Sequence, residues 1–145
     1  MKAAVLAALV AAAVVAADQL TKALVRAQIA PGEEVKVVPG VHLVRASNSG
    51  IAFSQLAGGG ALVVVVALIA LCALLAFFLT HLHRRLVWLP TGLLIGGAAG
   101  NLIDRIRLGA VTDFVKLPHW PAFNLADACI TVGVITLVYV LERVR

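Results

Sequence analysis

The fold is decided by the C-terminal stretch VTDFVKLPHWPAFNLADACITVGVITLVYVLERVR (residues 111–145), in which a long apolar run surrounds an aspartate, Asp127. A carboxylate near the start of a membrane-spanning segment is costly unless it is used or neutralised. A second aspartate, Asp113, lies upstream, across a loop that contains two prolines. Whether these two carboxylates belong together therefore decides what the protein does.

The composition is that of an integral membrane protein. Hydrophobic residues make up 62% of the 145 residues, only 13% are charged, and the mean hydropathy is +1.04. This is more apolar surface than a soluble core can bury. The net charge of +5 does not indicate nucleic-acid binding, because the basic residues are scattered between apolar runs without interleaved aromatics. Cys72 and Cys129 match no metal or disulfide spacing, so we assign them no role.

Four segments are long enough to cross a hydrocarbon core of roughly 30 Å, which takes about 20 helical residues. They cover approximately residues 3–20, 61–80, 86–102 and 125–141. Because open strand edges cannot face lipid, we expect all four to be helices. The first segment could also be a secretory signal peptide, since a basic residue, an alanine–valine core and small residues before Asp18 fit that pattern.

A different kind of sequence separates the first two apolar segments, at about residues 30–57. VKVV (residues 35–38), Pro39–Gly40 and VHLVRA (residues 41–46) are typical of two short strands around a turn. We therefore expect an all-α membrane protein with four transmembrane helices and a small β-rich extramembrane cap between helices 1 and 2. No internal repeat or low-complexity linker is visible, which predicts a single domain over residues 1–145.

The basic residues that flank the segments do not fix the orientation by count. With a cytoplasmic N-terminus, that side carries Lys2, Arg84, Arg85, Arg143 and Arg145, and the other side carries Lys22, Arg26, Lys36, Arg45, Arg105, Arg107 and Lys116. The positive-inside rule applies best to short loops, and THLHRRL (residues 80–86) is the shortest and most densely basic one. That loop favours cytoplasmic termini, although the raw count opposes them.

The polar residues of this arrangement gather toward one membrane face. They lie at the ends of the first, third and fourth segments, in the loop before the fourth segment and in the cap: Asp18, Gln19, Lys22, Asn48, Asn101, Asp104, Arg105, Asp113, Asn124 and Asp127. The middle of each segment stays almost purely apolar. This argues against a polar pore or proton wire of the kind that a small transporter or channel subunit would need. The sequence therefore predicts a site at the membrane interface.

Each of these residues also has a purely structural explanation. Asn124 and Asp127 could cap the fourth helix and answer its dipole. Asp18 and Lys22 could form an ordinary interfacial ion pair, and Asp113 could be a solvated loop carboxylate. The third segment leaves the same choice: Asn101, Asp104 and Arg105 could simply end the helix, and Gly92, Gly96 and Gly100 could let helices approach closely.

Four blocks of sequence, taken in order, resemble the signature blocks of the bacterial lipoprotein signal peptidases, also called type II signal peptidases. They are DQLTK (residues 18–22), NSGIAF (residues 48–53), GGAAGNLIDRIRLGAVTDF (residues 96–114) and PAFNLADACI (residues 121–130). The resemblance spans nearly the whole chain. It implies that the first segment is retained, that both termini are cytoplasmic, and that the cap and the active site face outward from a bacterial cytoplasmic (inner) membrane.

The resemblance also implies roles for individual residues. Asp113 of VTDF and Asp127 of FNLAD would be the catalytic aspartates. The supporting or substrate-binding positions would be Asp18, Lys22, Asn48, Gly50, Asn101, Asp104, Arg105 and Asn124. A sheet-like cradle and a short flap near NSGIAF would cover the site, and we expect Arg105 to hold nearby polar groups by fork-like hydrogen bonds. Two local departures, Thr112 and the short connection LPHWPAF (residues 117–123), put loop geometry in doubt rather than activity.

Two aspartates can hydrolyse a peptide bond without a metal or other cofactor. One ionised carboxylate takes a proton from water while the other, protonated, polarises the scissile carbonyl. Repulsion between the carboxylates and partial desolvation separate their titrations. The sequence carries no HExxH, P-loop or GxSxG motif and no plausible Cys–His pair, and neither aspartate has the GxGD context of other intramembrane aspartyl proteases.

The predicted function is therefore that of a membrane aspartyl endopeptidase that removes the signal peptide from diacylglyceryl-modified prolipoproteins. Cleavage on the N-terminal side of the lipidated cysteine is what the resemblance implies. The expected partners are those prolipoproteins and membrane lipids, with no nucleic acid, and we expect the chain to be monomeric. The alternative is a small multi-helix transporter or channel subunit.

Overall fold

Four helices and three strands make up the computed structural model, which describes residues 2–50, 59–81 and 86–142. The helices are α1 (Lys2–Gln28), α2 (Gly59–Thr80), α3 (Trp88–Leu108) and α4 (Leu125–Glu142). The strands are β1 (Glu34–Val38), β2 (Val41–Asn48) and β3 (Val111–Lys116). The strands β1 and β2 therefore lie between α1 and α2, and β3 lies between α3 and α4.

Within the described residues, three helical segments are long and apolar enough to cross a membrane: Lys2–Gln28, Ala61–Thr80 and Leu125–Glu142. They agree with three of the four predicted spans. α3 is not among them. It contains Asn101, Asp104, two arginines and several glycines, and these residues lower its mean hydropathy. The fourth transmembrane helix therefore stays a prediction.

α3 lies at the centre of the helices, since it contacts α1, α2 and α4. Glycines on α3 make its contact with α1 close. A Cβ atom added at Gly92 would lie 2.7 Å from Val10 Cβ, and one added at Gly96 would lie 2.7 Å from Val14 Cβ. Both distances are far shorter than ordinary van der Waals contact. The prediction that these glycines allow close helix packing is confirmed.

Two helices extend beyond their predicted ends. α1 continues past residue 20 to Gln28, and α3 continues past residue 102 to Leu108. Gly109 then ends α3 in a left-handed conformation, with φ of 77° and its N–H donated to Arg105 O. Arg105 therefore lies in the last turn of α3, as the structural alternative expected, whereas Asn101 and Asp104 precede that turn. The helix thus continues for several residues beyond its apolar run, and the polar side chains of Asn101 and Asp104 in this part are buried.

The sheet has the strand order β1–β2–β3 and is antiparallel throughout. β1 and β2 form the predicted hairpin, whose turn contains Gly40 with φ of 81°. β3 pairs with the other edge of β2 and places Asp113 opposite Ala46. The prediction that Asp113 lies in a loop is therefore wrong. The sheet is also not confined to the segment between helices 1 and 2, because its third strand comes from the connection between α3 and α4.

Some predictions concern residues that the structure does not describe. The short flap was predicted near NSGIAF, whose last three residues, 51–53, are not described, and the basic loop contains Arg84 and Arg85. Both lie outside the described residues, as do Arg143 and Arg145 at the C-terminus. The end of the predicted cap, after Gly50, falls in the same category.

Candidate active site

A tight connection from β3 to α4 brings Asp113 and Asp127 to the same region. Phe123 pairs with Val115 in an antiparallel bridge. The Phe123 N–H donates to Val115 O at 3.0 Å, and the Val115 N–H donates back to Phe123 O at 2.8 Å. The segment LPHWPAF thus folds back along β3, and α4 begins beside the strand that carries Asp113.

Asp113 is 3% exposed, so the alternative of a solvated loop carboxylate is wrong. Its Oδ2 accepts a hydrogen bond from Asn48 Nδ2 at 3.0 Å, and its Oδ1 accepts one from Asn124 Nδ2 at 2.6 Å. Burial raises the pKa of Asp113, the hydrogen bond from Asn48 opposes that rise, and the charge of Asp127 adds to it. The Asp127 carboxylate is therefore close enough to affect the pKa of Asp113.

Asp127 makes a helix-capping contact and a site contact at the same time. Its Oδ2 accepts the Asn124 backbone N–H at 3.1 Å, and its own N–H donates to Asn124 Oδ1 at 2.9 Å. This reciprocal pair is a capping box, so the structural explanation of Asn124 and Asp127 as a cap is confirmed. The other carboxylate oxygen, Oδ1, accepts a hydrogen bond from Asn101 Nδ2 at 2.8 Å. Capping therefore fixes the orientation of Asp127 and leaves its second oxygen in the site.

Two asparagines connect the aspartates. Asn124 Nδ2 donates to Asp113 Oδ1 and also donates to Asn101 Oδ1 at 3.1 Å. The same Asn101 oxygen accepts a hydrogen bond from Lys22 Nζ at 3.0 Å. Side chains from α1, α3, β3 and the start of α4 therefore form one continuous hydrogen-bonded network. A change at either asparagine would disturb both carboxylates.

A buried charge cluster lies behind the asparagines. Lys22 is fully buried, and its Nζ lies 2.8 Å from Asp18 Oδ2 and 3.4 Å from Asp104 Oδ2. The other oxygen of Asp18 accepts the Ala126 N–H at 3.0 Å, which ties α1 to the start of α4. A Cβ at Gly100 would lie 2.6 Å from Asp18 Oδ2, so the cluster requires glycine there. Asp18 and Lys22 do form an ion pair, but both side chains are fully buried in the protein, so it is not an ordinary exposed pair.

Three residues of this cluster were not predicted as site residues: Gln19, Arg26 and Thr112. Gln19 Nε2 donates to Asp104 Oδ1 at 3.1 Å, and the Thr112 N–H donates to Asp104 Oδ2 at 3.0 Å. Arg26 Nη1 donates to Thr112 Oγ1 at 3.0 Å and lies 4.0 Å from Asp104 Oδ1. Arg26 follows Lys22 by one helical turn, and this spacing is the signal that could have placed it on the same face.

Gly50 and Arg105 lie at the edge of the network. The Gly50 N–H donates to Asn48 Oδ1 at 3.0 Å, with φ of 72° at Gly50, and this turn orients the Asn48 amide toward Asp113. Arg105 Nη1 donates to Asn101 O at 3.4 Å, and its Nε is buried without a partner among the described residues. The predicted fork-like hydrogen bonds of Arg105 are therefore not formed within the described part of the chain.

Two cavities border the site. One, of about 380 Å³, contains the Asp127 carboxylate among mostly apolar walls: Leu117, Trp120, Phe123, Asp127, Ala128, Thr131 and Val132. The other, of about 390 Å³, contains Arg105: Ser49, Ala61, Val63, Val64, Val65, Arg105 and Gly109. Among the described residues, no group of three or more histidine, cysteine or acidic side chains is placed to hold a metal ion. The two cavities thus offer a carboxylate at Asp127 and a guanidinium at Arg105 beside apolar space.

The comparison with known proteins shows the family. The family model described as signal peptidase (SPase) II matches residues 10–142. A lipoprotein signal peptidase from Moorella thermoacetica is 44% identical over 131 residues, which are 89% of this chain and 87% of that protein. One from Halothermothrix orenii is 39% identical over 126 residues, covering 86% of this chain and 87% of that protein. The chain belongs to the signal peptidase II family.

Solved structures agree with this assignment. A structure described as a bacterial membrane enzyme superposes with a TM-score of 0.87 at 32% sequence identity. The superposition covers 93% of this chain and 91% of the chain in that structure. A second structure of the same description gives a TM-score of 0.85 at 31% identity, covering 94% of this chain and 87% of its own. The resemblance drawn from the four sequence blocks is confirmed.

Proposed function

We propose that the chain is an aspartic endopeptidase that removes signal peptides from prolipoproteins, with Asp113 and Asp127 as its catalytic pair. Membership of the signal peptidase II family supports the removal of signal peptides from prolipoproteins. The observation that carries the aspartic mechanism is the pair of carboxylates joined by amides. Asn124 donates to Asp113 at 2.6 Å, and Asn101 donates to Asp127 at 2.8 Å.

In the proposed mechanism the two aspartates share one proton, which resides mainly on Asp113. Burial, the largest effect on this group, raises the pKa of Asp113, so this carboxyl keeps its proton to higher pH than an ordinary aspartate. Asp127 takes a proton from water, the water oxygen adds to the scissile carbonyl carbon, and Asp113 gives its proton to the carbonyl oxygen. The tetrahedral intermediate then collapses as Asp127 gives its proton to the leaving nitrogen and Asp113 takes a proton back from a hydroxyl of the intermediate, which restores the starting protonation of both aspartates.

The surroundings of Asp127 suit a lipid-modified substrate. A membrane-bound prolipoprotein must present both a signal helix and two acyl chains to the enzyme from the side. The cavity of about 380 Å³ beside Asp127 is lined by Trp120, Phe123 and other apolar side chains. We propose that this enzyme cuts diacylglyceryl-modified substrates on the N-terminal side of the modified cysteine.

We also propose that α3 is the fourth transmembrane helix. It packs against three helices whose apolar segments are candidate spans, and two of its buried polar residues, Asn101 and Asp104, lie in its C-terminal half. We propose cytoplasmic termini, with the aspartates toward the outer face of the bacterial inner membrane. The family resemblance supports this orientation, and so does the short basic loop, although the raw count of basic residues opposes it. The clustering of the site's polar residues toward one membrane face disfavours a transporter path, and we propose that the chain acts as a monomer.

The substrate proposal is tested with one prolipoprotein in two forms. The purified full-length chain is incubated with diacylglyceryl-modified prolipoprotein and, separately, with the same prolipoprotein before modification. Gel mobility and mass spectrometry of the new N-terminus are the readouts. We expect cleavage of the modified form only, with the modified cysteine at the start of the product. Equal cleavage of both forms would contradict the lipid requirement, and cleavage of neither would contradict the peptidase assignment.

A further inference from the structure

A basic cavity of about 250 Å³ lies beside β2 and β3, and neither Asp113 nor Asp127 lines it. It is lined by Arg26, Pro31, Arg45, Ala46, Ser47, Leu108, Ala110 and Thr112. Successive side chains of a strand point to opposite faces of a sheet. Thr112 accordingly contacts Arg26, whereas its neighbour Asp113 contacts Asn48 and Asn124. The cavity is therefore separate from the catalytic pair, although both are built on β3.

Two guanidinium groups meet in this cavity, and none of its lining residues is acidic. Arg26 makes its contacts with Thr112 and Asp104 through Nη1, and Arg45 donates from Nη1 to Arg26 O at 3.1 Å. Asp104 neutralises Arg26 only partly, because it is 4.0 Å away and closer to Lys22. An arginine carries five N–H donors, so both side chains keep donors for a ligand. Two adjacent arginines are suited to bidentate recognition of a phosphate group.

The position of Arg45 is set by an irregularity in β2. The pairing of β2 with β3 shifts register between Leu43 and Ala46. A bulge of this kind re-aims side chains and is a specific feature of a strand rather than a defect. It brings the Arg45 guanidinium to the last turns of α1, where it contacts the backbone of Arg26. The two arginines thus come from elements that the sequence alone does not bring together.

The remaining walls of the cavity indicate which molecule would present the phosphate. Leu108 lines the cavity and is 52% exposed, and Ile106, on the same last turns of α3, is 66% exposed. Arg26 lies near the end of a helix that is a candidate membrane span. A cationic pocket next to exposed apolar side chains at the end of a span matches a lipid headgroup above its acyl chains.

We propose that this cavity binds the phosphate of an anionic phospholipid headgroup. The bound lipid would join the end of α1, β2 and the end of α3 at the membrane surface. This binding site goes beyond the peptidase function and does not depend on it, because neither Asp113 nor Asp127 lines the cavity.

Native mass spectrometry of the full-length chain, released from detergent micelles, tests the proposal. The chain is titrated with phosphatidylglycerol, and separately with diacylglycerol, which has the same acyl chains but no phosphate. Arg45→Gln removes one guanidinium, and Lys36→Gln removes an exposed cation of β1 as a matched control. Ser47→Asp keeps both arginines and adds a carboxylate to the cavity. Far-UV circular dichroism checks that each variant is folded.

We expect the wild type and Lys36→Gln to bind phosphatidylglycerol equally and to retain diacylglycerol poorly. Arg45→Gln should bind phosphatidylglycerol on the order of tenfold more weakly, as is typical for losing a charge-assisted hydrogen bond. Ser47→Asp should weaken binding to a similar extent, because its carboxylate repels the phosphate and competes for the arginines. If Arg45→Gln does not fold, Ser47→Asp decides the result. Equal binding by the wild type and the folded cavity variants would overturn the proposal. Full displacement of the lipid by inorganic phosphate would assign the site to the free anion and overturn the lipid assignment.

Discussion

Replacing Lys22 by methionine should strongly destabilise the protein. The Lys22 side chain is fully buried, and its Nζ lies 2.8 Å from Asp18, 3.0 Å from Asn101 and 3.4 Å from Asp104. Methionine has nearly the same length and no charge, so it keeps much of the packing. It leaves two buried carboxylates with no lysine between them, and the nearest remaining cation, Arg26, is 4.0 Å from Asp104.

The expected loss follows from what it costs to leave a buried charge unpaired. Removing one partner of a buried ionic interaction typically costs about 3–5 kcal/mol. The whole free energy of unfolding of a domain is about 5–15 kcal/mol, so this single change removes a large part of it. For a chain of this size, 1 kcal/mol corresponds to roughly 2–4 °C in Tm. Lys22→Met should therefore lower Tm by roughly 6–20 °C.

The assay is thermal unfolding of the purified protein in detergent micelles, followed by circular dichroism. Lys36→Met is the matched control, because it removes an exposed lysine of β1, and it should leave Tm nearly unchanged. The double variant Asp18→Asn with Lys22→Met removes one of the two orphaned carboxylates. It should be less destabilised than the sum of the single changes, since residues in one network couple. A loss below about 1 kcal/mol for Lys22→Met, or strict additivity in the double variant, would refute this reasoning.

Two further changes test the site itself. Asn48→Ala removes the hydrogen bond that lowers the pKa of Asp113, so this pKa should rise. The alkaline limb of the kcat/KM profile reports loss of the shared proton, and it should therefore move to higher pH. An unchanged or lower limb in the pH–rate profile would count against that role. Arg105→Lys should reduce kcat/KM by roughly tenfold or more without lowering Tm. The Arg105 Nε makes no hydrogen bond among the described residues and the side chain lines a cavity, so its guanidinium is free to bind substrate in a geometry that lysine cannot copy. Full activity of the lysine variant would mean that only the charge matters there.

Local patterns in the sequence predicted the parts of the fold that depend on hydropathy. Apolar length located the helices, and the β-branched residues around Pro39–Gly40 predicted the β1–β2 hairpin. The helix ends were harder to predict, because Lys22 and Asp104 are polar residues that face inward. β3 was missed for a different reason. VTDFVK is short, and it becomes a strand only by pairing with β2, which lies far away in the sequence.

The candidate site shows the same division between local and long-range information. The Asn124–Asp127 capping box spans one helical turn and was visible in the sequence as an alternative. The contact between Asn48 and Asp113 joins residues 65 positions apart, and only the assembled sheet provides it. The sequence did not predict that Arg26 belongs to the cluster, because a basic residue near the end of a membrane helix usually lies at the membrane interface. The resemblance to a family supplied the pairing of Asp113 with Asp127, which spacing alone left open.

The proposed catalytic role of Asp113 and Asp127 is tested most directly by measuring cleavage of diacylglyceryl-modified prolipoprotein by Asp113→Asn, Asp127→Asn and the double variant. Equal amounts of folded, purified protein are compared. As a cap alone, Asp127 contributes on the order of 0.3–1 kcal/mol through the helix dipole, and its loss would leave processing intact. We predict instead that either single change abolishes cleavage and that the double variant is scarcely worse, because groups that act as a unit are not additive. Substantial turnover by Asp127→Asn would contradict the account and leave that residue as a helix cap.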